Sequence, residues 1–297
     1  DSIYIVKNDP TNGHEWVDIG TVDNDGYHIV WATKNIGAEN PWDAGKYFAW
    51  ADTVGYYANE GHNFNMENSP YYDSLNEEYT KYNQEDGLTE LQLEVDAAHI
   101  QLKGSWRVPT NELYTLITEN CNWNWTTLDN TNGRLMTGPN GNSVFLPAAG
   151  YYDNLVNENE GAYGCYWSSS LRSDSPYCTW YLDFSSEYVD VFDEYRNLGQ
   201  TIRPIIKVKN LSELDPTYDI YLGESKVVDN DKQDSNMTNI LWSDLVALRN
   251  NSKLVPGMWY RITDYQTTTA QEDTRSAGHQ FDVIVLADRR LFPDGAG

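Results

Sequence analysis

Residues 166–205 read YWSSSLRSDSPYCTWYLDFSSEYVDVFDEYRNLGQTIRPI. Two stretches of aromatic, small and Gly/Pro-type residues, Tyr166 to Ser170 and Gly199 to Ile205, enclose a middle of mixed polar and aromatic side chains. In that middle, Val189 and Val191 alternate with Tyr188, Asp190 and Phe192, the period-two pattern of a half-buried strand. One side of such a strand holds the core, and the other offers tyrosine, acid and phenylalanine to solvent. Aromatic rings among short polar groups give large contact area at low entropy cost, with adaptable hydrogen bonding. A rigid frame with a mixed surface is therefore expected, and Trp180, Val189, Val191, Gly199 and Arg203 are read as the frame.

Outward from this stretch, residues 1–209 read as one domain of short strands and loops rich in Trp, Tyr and Gly. Strands are expected at His14–Ile19 and His28–Ala32 around a turn at Asp23–Gly26. Residues 56–84 read as an irregular insertion held down by its tyrosines. Helices are expected at Leu88–Leu102 and, behind a Thr110 N-cap, to about Asn120, because Leu113, Leu116 and Ile117 recur at helical spacing. The run CNWNWTT at residues 121–127 alternates like a strand, and Asn132-Gly133 and Asn140-Gly141 are read as tight turns between brief hairpin strands. Residues 210–238 have the charge and turn content of a linker. Residues 239–297 then read as a small module, either an ordinary α+β domain or the β-rich start of a fibre, with Ile240, Leu241, Leu245 and Leu248 on a helical stripe. The chain stops at Gly297 soon after a strand signal, so this module is expected to continue further. Asp1 in place of an initiator methionine marks a mature product or a piece of something longer.

Composition narrows the function classes. The chain has 297 residues, 45 acids against 20 bases and a formal charge of −25, which argues against nucleic-acid or anionic-membrane partners. Eleven Trp and 22 Tyr outnumber 7 Phe, a preference for bulky rings with a polar handle that suits loop-rich packing. Cys121, Cys165 and Cys178 lack metal-ligand spacing and cannot all pair within the chain. No run is long and apolar enough to span a bilayer. The five histidines form no HxH or HExxH pattern, and Ser168 to Ser170 lack a GxSxG elbow. Asp23-Asn24-Asp25-Gly26 resembles half an EF-hand loop but is better explained as a β-turn. No catalytic residue, metal ligand or cofactor is therefore assigned, and the chain is read as a non-enzyme.

The succession NGHEWVDIG, WATKNIGAENPWDAGKYFAWAD, GSWRVPTNELYTLI, NWNWTT, TGPNGNSVFLPAAGYY, YWSSS and GQTIRPI resembles the extracellular domain repeated in surface proteins of gut Bacteroidetes and their phages. That domain is similar to the C-type-lectin-like fold, in the branch shared with formylglycine-generating enzymes. The resemblance spans most of residues 12–206 and implies an α+β fold with short strands, two helices and long loops, followed by the smaller β-rich domain. Some members of that branch are the variable proteins of diversity-generating retroelements, in which adenine mutagenesis of AAC codons yields Asn, Ser, Asp, Tyr, Phe, Leu, Cys or Thr. Tyr177, Cys178, Asp183, Ser185, Tyr188, Asp190, Phe192, Asp193, Tyr195, Asn197 and Leu198 are reachable that way, whereas Glu187 and Glu194 are not. The calcium-lectin EPN or QPD and WND motifs are missing, and Cys165 and Cys178 do not match the oxidase cysteine pair, so neither chemistry is implied.

The expectation is a receptor-binding or adhesion protein on a phage virion surface or the extracellular surface of a bacterium. Its ligand-binding set would be Arg172, Asp174, Tyr177, Asp183, Ser185, Tyr188, Asp190, Phe192, Asp193, Tyr195 and Asn197, with the aromatics as anchors and the charged groups setting register. Partners would be a host surface protein or glycan and other subunits of a fibre or appendage, in a homo-oligomer, without nucleic acid or membrane insertion. The tail from Leu254 resembles modules of tail-fibre-like phage proteins. The alternative is a structural or decoration protein whose first domain packs on neighbouring subunits.

Overall fold

The computed structural model describes residues 3–222, 225–228, 237–250, 259–262 and 283–286. The chain divides into two compact units, Asn8–Pro216 and a second comprising Asp1–Lys7 with Thr217–Gly297. The larger unit is built on strands β1 (Trp16–Val22), β2 (His28–Ala32), β3 (Asn122–Leu128), β4 (Thr131–Thr137), β5 (Ser143–Pro147), β6 (Gly164–Leu171), β7 (Cys178–Phe184), β8 (Val189–Tyr195) and β9 (Ile205–Val208). They form three three-stranded sheets ordered β9-β2-β1, β3-β4-β5 and β6-β7-β8. All pairs in these sheets are antiparallel. Helices α1 (Ala97–Leu102) and α2 (Asn111–Asn120) complete the frame, with two-stranded pairs at Tyr72–Asp73 with Glu78–Tyr79 and at Tyr151–Asp153 with Val156–Glu158.

This architecture corrects the expected α+β, C-type-lectin-like fold. Among the described residues strands take up 38% and helices 16%, in small antiparallel sheets, so the fold is β-rich. Much of the difference lies in residues 88–102. Leu91 N–H donates to the Ser169 carbonyl and Leu171 N–H to the Thr89 carbonyl, which draws the first part of the segment out as an extended edge beside β6. Helix α1 begins only at Ala97, where the Asp96 carboxylate accepts from His99 N–H and from Val108 N–H, and it ends at Lys103 with φ 64°. Apolar spacing was present throughout, but the backbone of Thr89 and Leu91 found its partners across the chain instead of along it. Helix α2, in contrast, runs where its signals place it, with the Thr110 hydroxyl accepting from Leu113 N–H.

The Asn-Gly reading needs a similar correction. Asn140-Gly141 does turn the chain, with Gly141 at φ 86°. Asn132-Gly133 lies inside β4, and the β3–β4 turn is made by Asp129 and Asn130 at φ 45° and 65°. Gly133 serves close packing: a Cβ there would overlap the Leu146 carbonyl oxygen and stand 2.7 Å from the Phe145 ring. The strand expected at His14–Ile19 is β1, two residues later at its start.

Strand β6 is the keystone, buried at every position. Tyr166 faces a core with Trp31, Tyr114, Leu182 and Phe184, and Trp167 faces a second core with Trp50, Trp106 and Ile206. Four of the large rings satisfy their polar atom on a backbone carbonyl: Trp167 Nε1 on Phe48 (2.7 Å), Trp50 Nε1 on Ser168 (2.9 Å), Trp106 Nε1 on Thr11 (2.8 Å) and Tyr166 Oη on Pro147 (2.8 Å). At these positions Trp and Tyr bury apolar area while a backbone carbonyl keeps a hydrogen bond, which Phe could not supply. Between Trp167 and Leu171 the pairing with β7 shifts, and the three serines bulge. Ser168 Oγ donates to the Trp180 carbonyl (2.7 Å), Ser170 Oγ accepts from Asn111 N–H (3.1 Å), and Ser169 and Ser170 donate to Glu90.

Two buried arginines tie loops to this frame. Arg203 donates only to neutral oxygens, of Asn35, Ala32, Thr33 and Phe145. Arg196 donates to the carbonyls of Lys81, Tyr82 and Pro176 and lies 3.9 Å from the Tyr79 ring centre. Desolvation pushes both guanidinium groups down to about 10. The insertion at residues 56–84 is thus held by its tyrosines and by Arg196.

The second unit carries one sheet of Ile3–Asn8, Thr217–Leu222 and Ser225–Val228, and another of Met237–Ile240, Trp259–Ile262 and Val283–Leu286. Met237–Ile240 and Trp259–Ile262 run parallel, with the helix Trp242–Asn250 between them in sequence. The segment read as a linker therefore includes the strands Thr217–Leu222 and Ser225–Val228.

Candidate functional site

The β6-β7-β8 sheet presents the candidate surface. In register, Leu182 pairs with Tyr166 and Val191, Tyr181 with Trp167 and Phe192, and Asp183 with Cys165 and Asp190. Period-two alternation puts Leu182, Phe184, Val189 and Val191 on one face, where they pack in or against the core. Tyr181, Asp183, Asp190, Phe192 and Glu194 belong to the other. Phe192 is 42% exposed, while its neighbours Val191 and Asp193 are half-buried.

On that second face, the Asp183 carboxylate accepts from Tyr188 Oη at 2.7 Å and from Cys165 Sγ at 3.8 Å. Burial raises the Asp183 carboxyl above its ordinary range, against the hydrogen bonds from Tyr188, Cys165 and the Phe184 backbone that lower it. Burial also raises the Tyr188 and Tyr181 hydroxyls, with Asp183 adding to both, and drives the Cys165 thiol well up. The buried Cys165 thiol serves here as a hydrogen-bond donor. Tyr188 also meets Phe192 edge-on (6.0 Å) and Tyr163 (6.3 Å). Beside this network lies a cleft of about 260 Å³ walled by Tyr151, Tyr163, Tyr181, Asp183, Glu194 and Gln200.

The remaining predicted site residues are dispersed. Arg172 forms a bidentate pair with Asp174 (2.6 and 3.1 Å) and reaches Asp193 at 2.7 Å, a charged rim beside the start of β7. Tyr177 Oη donates to the Glu77 carbonyl and the ring packs on Tyr79 at 5.5 Å, so it bridges to the insertion. Tyr195 is 52% exposed but leaves the edge strand on the opposite face from Phe192. Ser185 and Asn197 are buried. Ser185 closes the β7–β8 turn: its carbonyl accepts from Arg134 Nε (2.8 Å), the Tyr188 carbonyl accepts from Arg134 Nη2 (3.4 Å), and its hydroxyl accepts from Glu187 N–H. The structure thus brings Asp183, Tyr188, Asp190 and Phe192 together, and groups Arg172, Asp174 and Asp193 separately.

Sequence reasoning did not select Tyr151, Tyr163, Tyr181, Glu194 or Gln200. The same alternation that marks Phe192 places Tyr181 and Glu194 on its face and contained that signal. Nothing local to residues 151–163 announces that they fold over this sheet. At the other end of the unit, Asp23-Asn24-Asp25-Gly26 is a side-chain-closed turn, with Asp23 Oδ1 accepting from the N–H groups of Asp25 and Tyr27.

A family model described as "Domain of unknown function (DUF8237)" matches residues 78–205, which include all six cleft residues named above. No curated protein and no solved structure matches the chain.

Proposed function

We propose that the chain is a non-enzymatic receptor-binding or adhesion protein, displayed on a phage particle or a bacterial surface, that offers the Tyr188–Phe192–Asp183 face to a host surface protein or glycan. The observation that carries this reading is the two-sided edge strand. Val189 and Val191 are committed to the core, while Phe192, next to them in sequence, stands partly in solvent beside a cleft of tyrosines and acids. Exposed aromatics at the centre of a rigid patch are the residues that anchor protein contacts. The resemblance of its motif order to surface proteins of gut Bacteroidetes and their phages is what supports the proposed location.

The test is binding of the fluorescently labelled full chain to a panel of intact Bacteroides strains by flow cytometry, with Tyr188→Ala and Phe192→Ala combined. The expected result is at least a tenfold loss of cell binding, as for an interface hot spot of about 2 kcal/mol or more, with a Tm loss of no more than about 10 °C from leaving Asp183 without its Tyr188 donor. Unchanged binding together with a collapsed Tm would make these residues part of the core and end the proposal. Loss of self-assembly with cell binding intact would instead favour the decoration-protein alternative.

A further inference from the structure

The cleft beside Asp183 has a chemistry of its own. Its walls are three tyrosine rings, Tyr151, Tyr163 and Tyr181, with the carboxylates of Asp183 and Glu194. No lysine, arginine or histidine lines it among the described residues. Asp183 already accepts two hydrogen bonds, yet an ionised carboxylate has about four acceptor positions, so capacity remains.

The independent observation is Gln200. Its side chain is 1% exposed and lines the same cleft, and its amide oxygen has no donor among the described residues. Buried acceptors are almost always paired, so an unpaired one on a residue that lines a cleft marks a place for a donor from outside. Acceptors, carboxylates and π faces converging on one small space all favour the same kind of group. It is cationic, it donates several hydrogen bonds, and aromatic rings can surround it.

Size narrows the choice. About 260 Å³ is below the usual range for drug-sized ligands and accommodates one slim side chain entering end-on. The deep position of Gln200 favours a long chain with its charge at the tip over a flat ring lying on the surface. We infer that this cleft is a socket for a lysine or arginine side chain of a partner protein, its cationic tip held between the Asp183 and Glu194 carboxylates and the Gln200 amide oxygen. This rests on the proposed binding face and specifies the chemistry of the contact. The charge of −25 on this chain complements such a partner and steers it in.

The experiment titrates the full chain with Nα-acetyl-lysine methylamide and Nα-acetyl-arginine methylamide, followed by tyrosine and tryptophan fluorescence and by calorimetry. The ε-acetylated lysine analogue, which keeps the shape and removes the charge, and glucosamine, a cationic sugar, are the comparisons. A single anchored side chain is expected to bind with a Kd of about 1 mM, given roughly −0.3 kcal/mol per heavy atom. Glu194→Gln, on a half-buried side chain, should weaken it at least fivefold, and Tyr163→Ala similarly. Asp183→Asn should weaken it further, and the Glu194 variant decides the matter if the Asp183 variant folds poorly. Equal binding of the acetylated analogue, preference for glucosamine, or no binding of either amine at 50 times the expected Kd would each overturn the inference. If the amines fail while Tyr188→Ala/Phe192→Ala still abolishes cell binding, the socket falls and the binding face stands. If the amines bind but cell binding ignores that double variant, the face reading falls and a cation pocket remains.

Discussion

Replacing Arg203 with lysine tests the frame directly. The guanidinium is fully buried with no carboxylate among its partners; four bonds of 2.8 to 3.2 Å run to the Asn35 amide and to the carbonyls of Ala32, Thr33 and Phe145. Those acceptors belong to β2 and the loop after it and to β5, so one side chain joins two sheets. Lysine keeps the charge, but its single nitrogen cannot span the fork and leaves about two acceptors unpaired. At roughly 1–3 kcal/mol for each orphaned buried group, the expected loss is about 2–6 kcal/mol. For a unit of about 200 residues, where 1 kcal/mol moves Tm by about 2–4 °C, that is a fall of roughly 4–24 °C. Differential scanning calorimetry and urea unfolding give the two numbers independently. A Tm within 2 °C of the parent would refute the reasoning, since the four bonds would then contribute nothing net. Arg203→Met probes the opposite term, because it removes both the desolvated charge and every donor. A gain in stability on that change would show that burying the cation costs more than its hydrogen bonds return.

Asp96 should make stability depend on pH in an unusual direction. Burial raises its carboxyl above the ordinary 3.8, outweighing the amide hydrogen bonds from His99 and Val108 that lower it, so its contribution is fully present below the unfolded value and is lost as pH rises through the folded one. Against Asp96→Asn, which does not titrate, the Tm advantage of the parent is therefore expected to shrink from pH 3.5 to pH 7, and a constant or growing advantage counts against the argument. Glycines provide the third check: Gly133→Ala should cost about 2–3 kcal/mol through overpacking against the Leu146 carbonyl. Gly141→Asn, at φ 86° with nothing within 4 Å, should cost under about 1 kcal/mol, and the reverse order in thermal unfolding would disprove the packing account.

The alternation of Val189, Asp190, Val191 and Phe192 was legible because a strand's side-chain period is local and two. The Thr110 cap was legible for the same reason, since cap and helix lie within three residues of each other. Leu88–Leu102 misled because helical spacing does not reveal that the backbone of Thr89 and Leu91 has a better partner in the serine bulge of β6. Asn132-Gly133 misled because glycine answers two different demands, a left-handed turn and a close approach, and the dipeptide does not say which. The cleft was half visible: Asp183 and its face follow from register, whereas Tyr151, Tyr163 and Gln200 arrive from other parts of the chain by tertiary packing. Ser185 and Asn197 are of residue types suited to a surface contact, yet the first closes the β7–β8 turn and both lie inside.

The β7–β8 turn has a kinetic consequence through Arg134, which holds the carbonyls of Ser185 and Tyr188 and, at Nη1, that of Trp123. Under the proposed binding role, a hairpin tip clamped to its neighbouring sheet would meet a partner without first having to be ordered. Ordering costs of about 0.5–1.5 kcal/mol per immobilised side chain are then met during folding and not at encounter. Variation at Asp190 or Phe192 would accordingly alter how long a complex lasts far more than how fast it forms.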